Sequence, residues 1–361
     1  MGNEERPMVI KWIVPLVIVL AVSACGQLVG PNKDDLAVAQ VMIEEKLTQT
    51  AVALATSAPT QTPAPTATST STATPIIPPT PIGGGGQIAF ASNQDGNFNI
   101  YVIDHMGDGL RQVTTWALDD NEPAWSPDGT HLVYTSWPDI ETQGLYVIAS
   151  DGADRRFIAK FPQAKGGSPT WSIKGRIAYW ATTCTSFCNK NGYNRSVIYF
   201  IDEDGGNLET VQPYIATIPY DPSWSPDGRR LAILRGTEWH TGIEIVTTDG
   251  ERQQSIHEFT RYQERDPAYS PDGSILAYSS DEKGDFDIYI YYLDGTYETR
   301  LTSSSGDDRH PTWSPDGTQL AFTSNRNGNW DIYVINIDGI GEHPLTTAAA
   351  DEIEPSWGPA P

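Results

Sequence analysis

Cysteine, histidine and basic side chains are all scarce in this sequence. Only three cysteines and six histidines occur among 361 residues, whereas a structural zinc site needs about four such ligands close together. Lys and Arg total 23 against 46 Asp and Glu, which gives a formal net charge of -23. So acidic a chain disfavours nucleic acid and other polyanions as partners. Cations, basic proteins and neutral glycans remain possible.

Recognisable catalytic motifs are also absent. The sequence contains no Gly-x-Ser-x-Gly elbow, no His-Glu-x-x-His and no Asp-box of the sialidase type. The histidines are scattered along the chain, at His105, His131, His240, His257, His310 and His343. The sequence therefore predicts a protein that is not an enzyme.

Long hydrophobic runs are limited to one, from Trp12 to Val22, which is short for a membrane-spanning helix. It leads into Val22-Ser23-Ala24-Cys25, which resembles the bacterial lipobox, where signal peptidase cuts before a cysteine that becomes diacylated. The resemblance implies that residues 1–24 are a lipoprotein signal peptide and that Cys25 carries the lipid. The alternative is an uncleaved anchor helix. Both interpretations place the rest of the chain outside the cytoplasm, anchored to the cell membrane at the cell surface or in the periplasm.

Two segments of unusual composition follow the leader. Residues 25–57 hold aliphatic side chains seven, four and seven positions apart, which predicts a short amphipathic helix, either self-associating or solvated: Leu36, Ile43, Leu47 and Leu54. Residues 58–86 are almost wholly Thr, Pro, Ala, Ser and Gly. Such a linker is disordered and extended, at roughly 3.1 Å per residue, and we expect it to act as a stalk.

A five-residue repeat dominates the remainder of the chain. Trp-Ser-Pro-Asp-Gly occurs three times, with a Tyr variant, a decayed copy and a final fragment, beginning at Trp125, Trp171, Trp224, Tyr269, Trp313 and Trp357. The aromatic residues are 46, 53, 45, 44 and 44 positions apart, a period that matches a four-stranded propeller blade. Ser-Pro-Asp-Gly is typical of a tight turn between antiparallel strands.

The number of repeats predicts six blades and a closed ring. Apolar triplets begin at six positions: Ile88, Leu132, Ile177, Leu231, Leu276 and Leu320. The first triplet has no aromatic repeat before it, and the last aromatic, Trp357, has no triplet after it. We expect the C-terminal strand to complete the first blade, because closure removes open sheet edges. The predicted fold is an all-β, six-bladed propeller of four-stranded antiparallel blades over residues 87–361.

The repeats resemble the TolB-type propeller, a WD-repeat-like family. The resemblance rests on Trp-Ser-Pro-Asp-Gly followed by Leu-Ala-Phe or Leu-Ala-Tyr, then Asp-Ile-Tyr-Val and Asp-Gly, and it covers residues 87–361. It implies binding through the propeller face. The α/β domain that precedes the propeller in TolB has no counterpart here, so a role in the Tol-Pal system is not implied.

One position in each repeat predicts a site on the propeller axis. The residue three positions before each repeated aromatic is followed by proline. These six residues are Glu122, Ser168, Asp221, Asp266, His310 and Glu354. The innermost strands of a propeller line its channel, so these side chains are expected to form a ring. Its carboxylates repel one another unless a cation neutralises them. We predict a ligand ring of Glu122, Asp221, Asp266, His310 and Glu354 that takes a calcium ion or an Arg or Lys side chain of a partner; the alternative is a set of solvated loop caps.

The remaining cysteines lie in the third blade. Cys184 and Cys188 fall in a hairpin that is longer than the others, since 21 residues separate Ile177 from Ile198 against the usual 12. An oxidising compartment favours a disulfide between Cys184 and Cys188. Two free thiols or a metal site are the alternatives.

Tryptophan is expected to play two roles. The repeated aromatics favour packing between blades over sugar stacking, because one blade position recurs and an aromatic ring buries a large area. Among the unrepeated tryptophans, Trp330 matches Phe98 and Phe286 in other hairpins and is expected to be structural. The other four are candidates for exposed contacts: Trp116, Trp137, Trp180 and Trp239.

Together these features predict a lipid-anchored, extracytoplasmic propeller that binds a protein or cell-envelope ligand at its channel mouth. The alternatives are a calcium-dependent hydrolase resembling the six-bladed lactonases, centred on the channel carboxylates, and a purely structural envelope component. A metal ion held in the channel would favour the calcium-dependent hydrolase over the binding module.

Overall fold

The computed structural model describes residues 86–359, apart from 138–141, 163–164, 184–194, 212–217, 238–239 and 258–260. The predicted signal peptide, lipidated Cys25, helix and stalk lie outside the described residues, as do Cys184, Cys188 and Trp239, and these remain predictions. Among the described residues, no helix is long and apolar enough to cross a membrane.

Twenty-four strands form six four-stranded antiparallel sheets, in agreement with the predicted blades. Blade 1 contains β1 (Gln87–Ser92), β2 (Asn99–Asp104) and β3 (Arg111–Gln112). Blade 2 contains β4 (Asp120–Trp125), β5 (His131–Ser136), β6 (Gly144–Ala149) and β7 (Arg156–Lys160). Blade 3 contains β8 (Gly166–Trp171), β9 (Arg176–Thr183), β10 (Arg195–Asp202) and β11 (Glu209–Val211).

The second half of the chain repeats this arrangement. Blade 4 contains β12 (Ile218–Trp224), β13 (Arg230–Thr237), β14 (His240–Thr247) and β15 (Arg252–Ser255). Blade 5 contains β16 (Glu264–Tyr269), β17 (Ile275–Ser280), β18 (Asp287–Tyr292) and β19 (Glu298–Arg300). Blade 6 contains β20 (Asp308–Trp313), β21 (Gln319–Ser324), β22 (Asp331–Asn336) and β23 (His343–Pro344). The last strand, β24 (Glu352–Trp357), belongs to blade 1.

The C-terminal strand closes the ring as predicted. Strand β24 pairs antiparallel with β1, with Ile88 opposite Trp357. The amide of Gly358 extends this ladder by donating to the carbonyl of Gln87 at 2.9 Å. Blade 1 therefore joins both ends of the propeller, with order β24, β1, β2, β3.

The Ser-Pro-Asp-Gly repeat forms the turn between the first and second strand of a blade. In blade 6, Ser314 Oγ donates to Asp316 Oδ1 at 2.7 Å, and Asp316 Oδ1 accepts from the Thr318 amide at 3.1 Å. The Gly317 amide donates to the Ser314 carbonyl at 2.9 Å, and Gly317 has a φ of 72°, which suits glycine. The repeat is therefore explained by local turn chemistry.

The repeated aromatics pack between blades, which confirms their predicted structural role. Trp313 is 5% exposed and lies in a core cluster with residues of blade 5, including Ile288. Its indole Nε1 donates to the carbonyl of Ala268 in blade 5 at 3.0 Å. Trp125 makes the equivalent bond to the carbonyl of Ser356 in blade 1 at 3.1 Å. Trp313 and Trp125 thus combine apolar burial with a directed bond to the preceding blade.

We expect Trp313→Phe to destabilise the protein by about 1–2 kcal/mol beyond the loss of ring area, because the buried Ala268 carbonyl loses its donor. The matched control is Trp224→Phe: Trp224 is 8% exposed, and its Nε1 has no hydrogen-bond partner within the described residues. Thermal unfolding followed by circular dichroism measures both changes. Equal losses of stability in the two variants would show that the interblade bond contributes nothing.

A charged funnel on the propeller axis

The predicted ring positions share an unusual backbone conformation. Each innermost strand shows a register shift beside this position in its ladder. The six residues have φ between 44° and 57°: Glu122, Ser168, Asp221, Asp266, His310 and Glu354. A left-handed conformation costs a non-glycine residue of order 1–3 kcal/mol and is kept only where the surroundings enforce it. Six repetitions of it mark this layer of the propeller as a candidate site.

The six ring side chains come together around one axial cavity. This funnel has a volume of about 320 Å³ and is lined by the ring residues, the proline that follows each of them, and Arg265. Neighbouring innermost strands contact one another all the way around the axis, in the order β24, β4, β8, β12, β16, β20. The structure therefore brings together all five predicted site residues, with Ser168 between two of them.

Three carboxylates follow one half of the ring, from β24 to β12, and are linked by hydrogen bonds between neighbouring blades. Glu354 Oε2 accepts from the Glu122 amide at 2.7 Å, and Glu122 Oε2 accepts from the Ser168 amide at 3.0 Å. Ser168 Oγ then donates to Asp221 Oδ1 at 2.7 Å. We call Glu354, Glu122 and Asp221 the acidic arc. A backbone amide or hydroxyl group of a neighbouring blade holds each carboxylate in place.

The opposite side of the funnel carries mixed charge. Asp266 Oδ2 accepts from the His310 amide at 3.2 Å and from Ser279 Oγ at 2.7 Å. His310 Nε2 lies 3.6 Å from Asp266 Oδ1. Arg265 precedes Asp266 on β16 and lines the same cavity. Its Nη2 donates to Gln263 Oε1 at 2.7 Å.

Sequence reasoning missed Arg265. The position before each ring residue varies among the blades, and arginine stands there only in β16 and β20: Asn121, Gly167, Tyr220, Arg265, Arg309 and Ile353. Every innermost strand shifts register at this point, yet of these six residues Arg265 alone lines the cavity. An alignment of the six strands would have shown the arginines but not which of them reaches the cavity.

Burial changes the ionisation of the acidic arc. Desolvation is the main cause that raises the pKa of Glu122 to about 7, of Asp221 to about 6 and of Glu354 to about 8. Repulsion from neighbouring carboxylates raises these values further, Asp221 acting on Glu122, Asp266 on Asp221, and Glu122 on Glu354. The arc therefore titrates around neutral pH, and a cationic group placed against it would favour the ionised forms.

The calcium ion in the funnel remains a prediction. Within the described residues, no group of three or more His, Cys, Asp or Glu side chains is placed to hold a metal ion. The carboxylates of Glu354 and Glu122 instead accept backbone amides of adjacent blades.

Three tryptophans expected to make exposed contacts are partly buried, so that prediction is wrong for them. Trp180 Nε1 donates to Ser168 Oγ at 3.2 Å, and its ring meets Tyr220 edge-on at 5.0 Å. Trp116 lies under the Arg155 guanidinium at 4.3 Å, and Trp137 packs on the ring of Phe161. Trp330 is also partly buried, as its match to Phe98 and Phe286 predicted. These indoles support the blades.

The closed ring of six four-stranded sheets around a polar axial cavity defines a six-bladed β-propeller with a candidate binding funnel. A family model described as the TolB beta propeller domain matches residues 173–360, just over half of the chain. The chain belongs to this family.

Similar proteins agree with this assignment. The chain is 32% identical over 150 residues to a Protein TolB homolog of Chlorobium luteolum, covering 42% of this chain and 31% of that protein. It is 33% identical over 69 residues to the Tol-Pal system protein TolB of Hydrogenovibrio crunogenus, covering 19% and 16% of the two chains. The chain thus spans about a third or less of the length of these relatives. The crystal structure of TolB from Acinetobacter baumannii superposes with a TM-score of 0.64 at 19% identity, covering 76% of this chain and 67% of that one, and shows a shared fold.

Proposed function

We propose that this protein is an extracytoplasmic binding module, anchored to the membrane through Cys25, which captures a protein or cell-envelope ligand at the funnel by taking up a cationic group. The lipobox and the names of its relatives, one of them a Tol-Pal system protein, support an envelope location. The observation that carries the proposal is the acidic arc of Glu354, Glu122 and Asp221.

The physical argument for a cationic ligand is the unfavourable free energy of ionising the three carboxyl groups of the acidic arc. Three carboxyl groups at the wall of a narrow cavity lose hydration and repel one another, so their ionisation is unfavourable without a counter-charge. A guanidinium or ammonium group restores part of the lost solvation and forms charge-assisted hydrogen bonds, which are about twice as strong as neutral ones. The rigid propeller holds the acceptors in place before binding, which lowers the entropic cost.

The funnel also limits what can enter. A cavity of about 320 Å³ is at the small end of the range for ligand sites, roughly 300–1,000 Å³. It suits one side chain or a small molecule, while the rest of a protein partner would lie on the propeller face. The function we propose is therefore recognition of a single inserted group, with the fold acting as its rigid support.

We expect the purified protein at pH 8 to bind N-acetyl-arginine amide saturably and to discriminate against N-acetyl-citrulline amide, its neutral isostere. Glu354→Gln is expected to weaken binding by at least about fivefold, because charged hydrogen bonds contribute about 1.5–3 kcal/mol. Isothermal titration calorimetry measures both affinities. Added salt should weaken binding further.

The charge-matched control is Glu251→Gln, since Glu251 lies on an exposed turn outside the funnel. This variant should bind as the unmodified protein does. Recognition of a cation by the acidic arc would be contradicted if the protein bound the arginine and citrulline probes with equal affinity. It would also be contradicted if the Glu354→Gln variant bound the arginine probe as tightly as the unmodified protein does.

A further inference from the structure

The two sides of the funnel differ in charge. Around the axis the blades of Glu122 and Arg265 are three steps apart in a ring of six, so these two residues belong to opposite blades. The acidic arc spans the strands from β24 to β12, and Arg265 lines the cavity from β16, in the blade next to Asp221 and opposite Glu122. A ligand that spans the funnel from Glu122 to Arg265 therefore meets a carboxylate at one end and a guanidinium at the other.

Arg265 forms no ion pair within the described part of the chain, although its charge lowers the pKa of Asp221 in the acidic arc. Its Nη2 donates to Gln263 Oε1 at 2.7 Å, and its buried Nε has no hydrogen-bond partner among the described residues. The carboxylate of its neighbour Asp266 accepts from Ser279 and from the His310 amide. The guanidinium of Arg265, which lines the cavity, is the donor group that this wall offers to an incoming acceptor.

Arg309, the corresponding residue of blade 6, is different. Its Nη2 pairs with Asp307 Oδ2 at 2.7 Å, and its guanidinium stacks 4.1 Å from the Phe286 ring centroid. Arg309 does not line the cavity. Both arginines have a buried Nε without a hydrogen-bond partner among the described residues. They differ because Arg309 pairs with a carboxylate outside the cavity, whereas Arg265 lines the cavity without an ion pair.

We infer that the funnel recognises a residue bearing both a cationic side chain and a free carboxylate, as found in the C-terminal arginine or lysine of a polypeptide or in a free dibasic amino acid. The cation would lie against the acidic arc and the carboxylate against Arg265, whose planar fork matches a carboxylate in two parallel hydrogen bonds. This inference rests on the proposed function, because it adds a second contact to the same inserted group. The cavity volume suits one such residue.

The test compares N-acetyl-arginine, which has both charges, with N-acetyl-arginine amide, which has only the cation. By calorimetry we expect the protein to bind the acid at least about tenfold more tightly than the amide, as a charge-assisted bidentate contact predicts. Arg265→Gln should remove this preference, so that the variant binds the acid and the amide with equal affinity. Arg309→Gln, the matched control, should keep it.

Further probes distinguish the source of the ligand. Tighter binding of Gly-Gly-Arg than of free arginine supports a polypeptide C-terminus, and the reverse order supports a free amino acid. Arg265→Lys, which keeps the charge and loses the fork, should retain only part of the preference and guards against misfolding of the glutamine variant. Thermal unfolding checks that each variant folds.

The outcomes separate this inference from the proposed function. Equal binding of acid and amide by the unmodified protein would overturn the inference and leave cation recognition intact. Persistence of the preference in a folded Arg265→Gln variant would overturn the role of Arg265. Failure of every cationic probe to bind would overturn the proposed function and with it this inference.

Discussion

Deletion of residues 352–361 is expected to abolish cooperative thermal unfolding and to make the protein aggregate. The deletion removes β24, which supplies the innermost strand of blade 1 and contacts both β4 and β20. Trp357, 9% exposed, leaves the core between blades 6 and 1. Strand β1 becomes an open edge, a template for pairing between chains. We expect a loss of at least about 5 kcal/mol, comparable to the whole stability of many domains.

Circular dichroism and size-exclusion chromatography of the deleted chain measure this effect. Deletion of only residues 360–361, which follow the last described residue, is the control and should leave the melting temperature unchanged. Addition of a synthetic peptide of residues 351–361 is expected to restore monomeric, cooperatively folding protein, since it supplies the missing strand. A deleted chain that melts cooperatively within about 5 °C of the full protein would show that the ring does not depend on this closure.

Stability is expected to fall as the pH rises from about 5 to about 8, and Glu354→Gln should make this decline smaller. The pKa of Glu354 is raised from 4.5 to about 8 by burial and then by repulsion from Glu122. Between these two values the folded state binds more protons than the unfolded state, so stability decreases with rising pH. The variant removes the buried charge and retains an oxygen that accepts from the Glu122 amide.

The size of this stability change follows from the shift in the pKa of Glu354. Since one pKa unit corresponds to about 1.4 kcal/mol and water reaches the funnel, we expect Glu354→Gln to gain about 2–3 kcal/mol at pH 8 relative to pH 5. This equals roughly 5–10 °C in melting temperature for a chain of this size. Thermal unfolding across this pH range, with Glu251→Gln as the charge-matched control, measures the gain.

Other groups of the native protein titrate in the same direction. The pKa of His257 is raised to about 10, first by Glu264 and then by Glu298, so its stabilising charge is present below pH 6.5 and is lost as the pH rises toward 10. Burial also raises the pKa of Glu352 to about 6. The decline of the unmodified protein thus has several sources, and the difference from Glu354→Gln isolates the funnel. If the stability of the unmodified protein and of the Glu354→Gln variant fell equally with pH, ionisation of Glu354 would not destabilise the folded protein.

Repetition made the fold readable from the sequence. In blade 6, Trp313 makes the interblade contact and Ser314-Pro-Asp-Gly317 forms the turn that follows it. Each copy of the repeat therefore indicates a blade and the register of its strands. The ring residues could be found because they keep a fixed distance from the aromatic. What repeats at a fixed spacing in the sequence also repeats around the axis.

The details of the funnel could not be predicted in the same way. A residue before proline usually has an extended backbone, whereas Glu122 is left-handed and lies at a register shift. The sequence also does not show that Arg265 lines the cavity while Arg309 does not, or that Glu354 and Glu122 accept from backbone amides. Trp180 looked like a free aromatic because its partners, Ser168 and Tyr220, belong to other strands.

The way the chain enters the propeller has a mechanical consequence. Gly86 leads directly into β1, which lies inside blade 1 with β24 on one side and β2 on the other. Any force transmitted along the preceding residues therefore reaches a strand that is bonded to two neighbours at once, so the load is shared between two ladders. A stalk attached to an outermost strand such as β3 would instead peel the sheet open one hydrogen bond at a time. Under the proposed anchoring, the first strand would carry a pulling force through two ladders of hydrogen bonds instead of one.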